Sequence, residues 1–380
     1  MKKITIFLIL LCLMVTGCGK NSVSNVTNNI LKKYDKSSGY ILNGDLEINN
    51  NDDVYNYSVT AAFDKKGDNY KITLKNKAND FKQIILKNND GVFLLTPSLN
   101  KSFKFQSEWP YNNSQIYLLQ PLLIDLKNDD KVTLEEKDGK YILSAKVNYI
   151  NDKNLTKEKI YLDKNLNLKK VEVLDDNDDV IMRLKVTKIE TNNNFDDRYF
   201  DIDDSYNTST KNKDKTKDDK KSSDNKSSND SKENDIKTND NSNQTNSINK
   251  EENSTDNTNN TTENKTTTTS KVTDVLYPMY VPVDTYLDTQ DVVSLDNGTR
   301  TILTFSGDSP FTFVQSPVDS TVVDYLNGDP TLVADSVGAV SDTSVAWISN
   351  NKEYYLSSTS VSADQLLLIA DSLAVAEVGK

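Results

Sequence analysis

The sequence predicts an α+β chain: a curved antiparallel sheet with a helical cover, a disordered linker, and then a small second α+β domain. Three observations carry this reading. Apolar segments of strand length, several alternating with period two, follow one another between residues 40 and 202, separated by turn residues. Helical spacing before residue 203 is confined to Val26–Lys36 and Ser114–Leu126. Residues 204–270 are almost wholly Asn, Thr, Ser, Lys, Asp and Glu, with Tyr206, Ile236 and Ile248 the apolar exceptions.

At the start of the chain, Lys2 and Lys3 precede the apolar run Ile4–Met14 and then Val15-Thr16-Gly17-Cys18. A basic start, a short apolar core and small residues at a cut are the parts of a secretory signal peptide, here residues 1–17. The run is shorter than the roughly 20 residues that span a bilayer. Aliphatic, small, small, Cys resembles the lipobox of bacterial lipoproteins. That resemblance implies a diacylglyceryl group on Cys18, cleavage before it and anchoring to the cell membrane, facing outward. Two acyl chains, at about 0.8 kcal/mol per buried methylene, hold a protein stably.

A tether over 18–25 leads into the first helix, whose residues Val26, Ile30, Leu31 and Tyr34 share a face; Ser24 or Thr27 is its expected cap and Gly39 its end. Strands follow from Tyr40, with a turn at 49–53. Tyr70–Leu74 alternates cleanly, and Asn88-Asn-Asp-Gly91 joins Phe81–Leu86 to Val92–Leu95 as a hairpin. The helix over Ser114–Leu126 is expected to be interrupted near Pro121. Five more strands complete a domain over 26–203, and the two helices are expected to cover one face of its sheet.

Residues 204–270 cannot bury enough apolar surface to offset ordering entropy. Such a coil spans on the order of 45 Å, which would let the last segment range outward from the membrane. Residues 271–380 form the second domain, with strands at Thr301–Phe305, Phe311–Gln315, Thr331–Val333, Val345–Ile348 and Glu353–Leu356. Ser362-Ala-Asp-Gln365 reads as a capping box that opens a helix to Leu373.

Charge is distributed unevenly. Of the net −12, residues 271–380 carry −11, from 15 acids and 4 bases; the remainder has 42 acids against 41 bases. An acidic second domain argues against nucleic acid as a partner. The chain has no His, which removes the usual general base and the commonest transition-metal ligand. Its two cysteines, Cys12 and Cys18, both lie in the leader region. No catalytic residue, metal site or cofactor is therefore expected, and the chain reads as a non-enzyme. Asp175–Asp179, Asp52-Asp53 and Asp129-Asp130 read as turns, since they lack the spacing of a calcium loop. The densest aromatic stretch holds Phe103, Phe105, Trp109, Pro110 and Tyr111. These residues either cap the open end of the sheet or line a groove that anchors a partner.

With the lipobox, the first helix and the strand array, residues 20–203 resemble the LolA-like superfamily. Gln83–Pro97 followed by Lys101–Pro110 looks like the clostridial germination lipoproteins of the GerS type. That resemblance implies an unclosed β-barrel with a helical cover, and a non-catalytic lipoprotein that supports a spore-cortex N-acetylmuramoyl-L-alanine amidase. Tyr277–Pro282, Ala346-Trp347, Tyr354–Leu356 and Ser362–Leu373 are similar to small DUF4367-type domains. Two other functions stay open: an envelope-stress regulator that binds an anti-sigma factor, and a carrier of lipid or lipoprotein. A homodimer is compatible with the sequence.

Overall fold

The computed structural model describes residues 22–50, 53–111, 113–149, 153–210, 275–319 and 323–375. The signal peptide, Cys18 and most of the expected linker, with Ile236 and Ile248, lie outside the described residues.

Helix α1 is Val23–Asp35, and it starts inside the expected tether. Its cap is Ser22, whose Oγ accepts from the Asn25 N–H at 3.2 Å. Thr27 does not cap because it lies on the buried face with Val26, Ile30 and Tyr34. Ser24 instead accepts from the Asn28 side chain at 3.2 Å.

Strands β1 (Gly39–Asn50), β2 (Asp53–Asp64), β3 (Asn69–Asn76), β4 (Lys82–Asn88), β5 (Gly91–Thr96) and β6 (Lys101–Phe105) form one antiparallel meander. Helix α2, Leu119–Asn128, follows. Then β7 (Thr133–Lys137), β8 (Lys140–Lys146), β9 (Lys157–Leu162), β10 (Leu168–Leu174) and β11 (Val180–Thr191) form a second meander, and β11 pairs with β1. The order runs from β6 through β1 and β11 to β7, so the sheet does not close on itself. A register shift at Asn43/Gly44 bends β1 against β11. A Cβ on Gly44 would stand 2.7 Å from the Lys185 carbonyl oxygen, so the bulge admits no larger residue.

Pro121 does not interrupt α2. It is the third residue of the helix, where its missing N–H costs no internal bond. Residues 114–118 enter as turns instead. The Asp175–Asp179 turn joins β10 to β11, and the Asp175 carboxylate accepts from the Asn177 and Asp179 N–H groups.

Both faces of the first meander are covered. Ile85, Val92 and Leu94 face the main core, with Ile30 of α1 and Leu122 of α2. Ile84, Leu86, Phe93 and Leu95 face a second cluster with Phe200, joined by Phe195, Tyr199 and Tyr206. This is why 84–86 and 92–95 read as continuous apolar runs. The second cover is an element that the two expected helices leave out. Its helix α3, Ile202–Thr210, continues past the expected start of the linker. The Tyr206 hydroxyl donates to the Lys101 carbonyl at 2.7 Å.

The C-terminal segment contains β12 (Leu276–Pro278), β13 (Thr285–Leu295), β14 (Gly298–Gly307), β15 (Phe311–Pro317), β16 (Val323–Leu326), β17 (Asp329–Val333), β18 (Ser336–Ser341), β19 (Ser344–Ser349) and β20 (Lys352–Ser357). Helix α4 is Ala363–Asp371, and the capping box of Ser362 and Gln365 forms as expected. The short β21, Leu373–Val375, pairs with β12. A seven-stranded sheet runs β13-β14-β15-β20-β19-β18-β17. Its core stacks Phe305 on Phe311 at 4.2 Å and Trp347 on Tyr354 at 5.1 Å, beside Leu366 and Ile369 of α4.

This segment does not range outward from the rest. The described residues before 211 and after 274 belong to one compact unit. Strand β16 leaves its own sheet and pairs parallel to β6, with Asp324 opposite Phe103. Val337, Ala339 and Ile348 enter the main core. The Gln83 side-chain amide pairs with the backbone of Val337, accepting at 2.7 Å and donating at 3.0 Å. At the centre lies Lys101, whose side chain is 1% exposed. Its Nζ donates to Asp324 Oδ2 at 2.5 Å and to the Asp319 carbonyl at 2.8 Å, and stands 3.0 Å from Glu353 Oε1. Burial works against this ammonium, but contacts with the Asp324 and Glu353 carboxylates outweigh it and hold its pKa above the ordinary lysine value.

The asymmetry of the cluster predicts which change hurts. Asp324 and Glu353 keep 41% and 27% side-chain exposure and can be hydrated without their partner; Lys101 cannot. Asp324→Asn combined with Glu353→Gln should cost about 3–5 kcal/mol in urea unfolding, because it strands a buried cation. Lys101→Met should cost clearly less.

Candidate functional site

Two concavities lie along the seam between the N-terminal sheet and the C-terminal segment. The larger, about 340 Å³, borders the Lys101 cluster and is lined by Leu94, Phe103, Asp324, Trp347, Glu353 and Tyr354 among others. The other, about 180 Å³, has apolar walls from Ile48 and Met182 of the sheet, Ile116 and Tyr117 before α2, and Leu367 and Leu368 of α4. Both halves of the chain are needed to form it.

The second pocket carries the polar features that suit a ligand. Gln115 lines it, is 7% exposed, and its side-chain Nε2 has no hydrogen-bond partner among the described residues. A buried amide donor without an acceptor is costly, and a bound group could supply the acceptor. Ser114 also lines the pocket; its hydroxyl donates to Asp125 at 2.7 Å and accepts from the Asn148 N–H at 2.8 Å. Behind this segment, Glu158 is 1% exposed and its Oε1 has no hydrogen-bond partner among the described residues. Burial, with Asp125 as a second cause, pushes the Glu158 carboxyl well above the usual range. Burial raises Asp125 to about 6 against the lowering effect of the Ser114 hydrogen bond. Burial likewise raises the hydroxyls of Tyr117 and Tyr149. The lining itself combines apolar walls with a few polar groups, among them Ser114, Gln115, Asp364 and Asp371, a mixture that suits an amphipathic ligand rather than an anion.

These polar residues were legible in part. Glu158 shares strand parity with Ile160 and Leu162, and all three are buried. Parity alone thus sets Glu158 on the inward face. Nothing in the local sequence marks Gln115 or Asp125, whose neighbours arrive from other elements.

The aromatic stretch divides. Trp109 is 5% exposed and stacks on Tyr70 at 4.7 Å between centroids. Phe105 is buried, and Phe103, also buried, lines the larger seam pocket. Pro110 is half-buried. Tyr111 is exposed, and its hydroxyl donates to the Asp68 carboxylate. Of the five, Phe103 alone borders either seam pocket. Cys18, the expected lipidation site, lies outside the described residues. Among the described residues no group of three or more His, Cys, Asp or Glu is placed to hold a metal ion, and no helix is long and apolar enough to cross a membrane.

No family model matches the chain. Sporulation protein YdcC of Bacillus subtilis (strain 168) is 28% identical over 371 residues, spanning 96% of this chain and 94% of that protein. Among solved structures, the MucA/MucB complex of Pseudomonas aeruginosa aligns with 92% of this chain and 99% of that one, at 10% identity and a TM-score of 0.29. A LolA superfamily protein from Nitrosomonas europaea aligns with 48% of this chain and 99% of its own, at 13% identity and a TM-score of 0.27. The GerS-type and DUF4367-type resemblances rest on the quoted residues alone.

Two outcomes follow. Trp109→Ala should cost about 3–5 kcal/mol in chemical denaturation, as a stacked core residue does; Tyr111→Phe should cost less than about 1 kcal/mol. The folded state keeps the Asp125 proton to a higher pH than the unfolded chain, whose carboxyl titrates near 3.8. Between about 4 and 6 the native state therefore binds more protons, and this group's contribution to stability falls as pH rises. Asp125→Asn should flatten that part of a stability–pH profile, provided Glu158 is left unchanged.

Proposed function

We propose that this chain is a non-catalytic protein lipid-anchored to the outward-facing side of the cell or forespore membrane in a spore-forming cell, and that it acts in sporulation by binding. The observation that carries this reading is the end-to-end similarity to a sporulation protein, which spans both sheets and the segment between them. The Cys18 lipobox and the absence of His support anchoring and a binding role. The proposed partner is a spore-cortex N-acetylmuramoyl-L-alanine amidase, a reading that rests on the GerS-like stretch Gln83–Pro110. Much of that stretch is buried, and it includes Gln83 and Lys101, which bind the C-terminal segment. A partner would thus meet the surface assembled around the stretch rather than its aromatic side chains.

A second reading, a carrier for a small amphipathic ligand, is favoured by the apolar pocket and by the Gln115 Nε2, which has no hydrogen-bond partner among the described residues.

A deletion strain tests the first reading. It should sporulate with cortex that lacks muramic-δ-lactam, and a pulldown from sporulating cells should recover the amidase. Normal muramic-δ-lactam with no recovered amidase would sink the partnership. Cys18→Ala should move the protein from the membrane fraction to the soluble fraction while its circular dichroism stays unchanged. Retention in the membrane would refute the anchor.

A further inference from the structure

Among the described residues, the first strand of the C-terminal sheet differs from the other sheet edges. β13 is 11 residues long and lies at the end of its sheet, paired on one side with β14. No residue in it is buried. Yet it carries Tyr286 at 61% exposure, Val292 at 60%, and Leu287 and Val293 at their sides. Each pair is consecutive, so apolar side chains stand on both faces of the strand. Core packing accounts for none of them.

The other terminal strands are blunted in the usual ways. β7 is five residues long and carries Glu135, Glu136 and Lys137. β17 contains Pro330, and β16 is four residues long. β13 contains neither Lys nor Pro. A register shift between Leu287 and Thr289 bulges the strand at Asp288, but the strand continues past it for seven residues in regular register with β14. The open backbone edge is therefore a template for strand addition.

Charge selects the occupant. Asp288 and Asp291 lie on β13, Asp284 and Asp296 flank it, and residues 275–299 hold no Lys or Arg. A second copy of β13 would set like charges against one another across the new ladder, which is unfavourable. A basic strand would not.

We propose that the outer edge of β13 receives an extended segment of a partner protein that alternates apolar and basic residues, adding it as one more antiparallel or parallel strand. On the face shared with Leu287 and Val292 the partner sets its apolar side chains, and on the opposite face its Lys or Arg residues meet Asp291, with Asp288 at the bulge beside them. This surface is distinct from the seam pockets and does not depend on the function proposed above.

The test uses the full-length protein and two synthetic peptides of about 11 residues, one alternating Val with Lys and one alternating Val with Glu. The lysine peptide should slow backbone hydrogen exchange in 285–295, and the glutamate peptide should not. Asp288→Lys combined with Asp291→Lys should weaken the lysine peptide by at least about tenfold in calorimetry and favour the glutamate peptide. Both side chains are exposed, so the thermal midpoint of this variant serves as the folding control. Absence of protection by the lysine peptide overturns the proposal, as does equal protection by both peptides. Sedimentation that shows a dimer dissolved by Val292→Glu would instead assign the edge to a second copy and also overturn it.

Discussion

The molecule depends on one buried ammonium. Lys101 sits at the start of β6 with its side chain out of water, and its counter-charges come from Asp324 and Glu353, more than 200 residues later. A desolvated lysine with no partner is among the most costly features a core can hold. The N-terminal sheet therefore cannot leave this residue bare, and β16 is drawn out of its own sheet to lie beside β6. Gln83 adds a second fixed point, because its amide pairs with the Val337 backbone as a strand would. The docking is specific rather than a generic apolar contact, since both points need particular donors and acceptors.

The two seam concavities follow from that docking. The smaller pocket takes its inner wall from β1, β11 and the turns before α2, and its outer wall from α4. Separation of the halves would open the pocket and expose Ile48, Met182 and Leu367 together. The proposed acyl anchor at Cys18 and the proposed strand addition at β13 would add two further contacts of different chemistry, one with lipid and one with protein.

Much of the architecture was legible because local pattern and tertiary demand agreed. Asn88–Gly91 made the hairpin, and Ser362 with Gln365 made the cap. Where the two disagreed, sequence reasoning failed for identifiable reasons. Pro121 reads as a breaker but is tolerated in a first turn. β18, Ser336–Ser341, is buried in five of its six positions and so shows no alternation. β13 is exposed throughout and shows none either. The docking of the halves left no local trace: in Asn100-Lys-Ser-Phe-Lys104 nothing marks Lys101 as buried, and nothing near it announces carboxylates from the far end of the chain. The same holds for the pocket, since Gln115 is polar and unremarked until α4 closes over it.

The central claim is that residues 22–210 and 275–375 form one body held by contacts rather than by chain connectivity. A site-specific protease sequence placed between residues 211 and 274 would test this by severing the connection. After complete cleavage the account predicts that the two fragments co-elute on size exclusion at low and moderate salt. Fragments that separate under those conditions while each stays folded would contradict it.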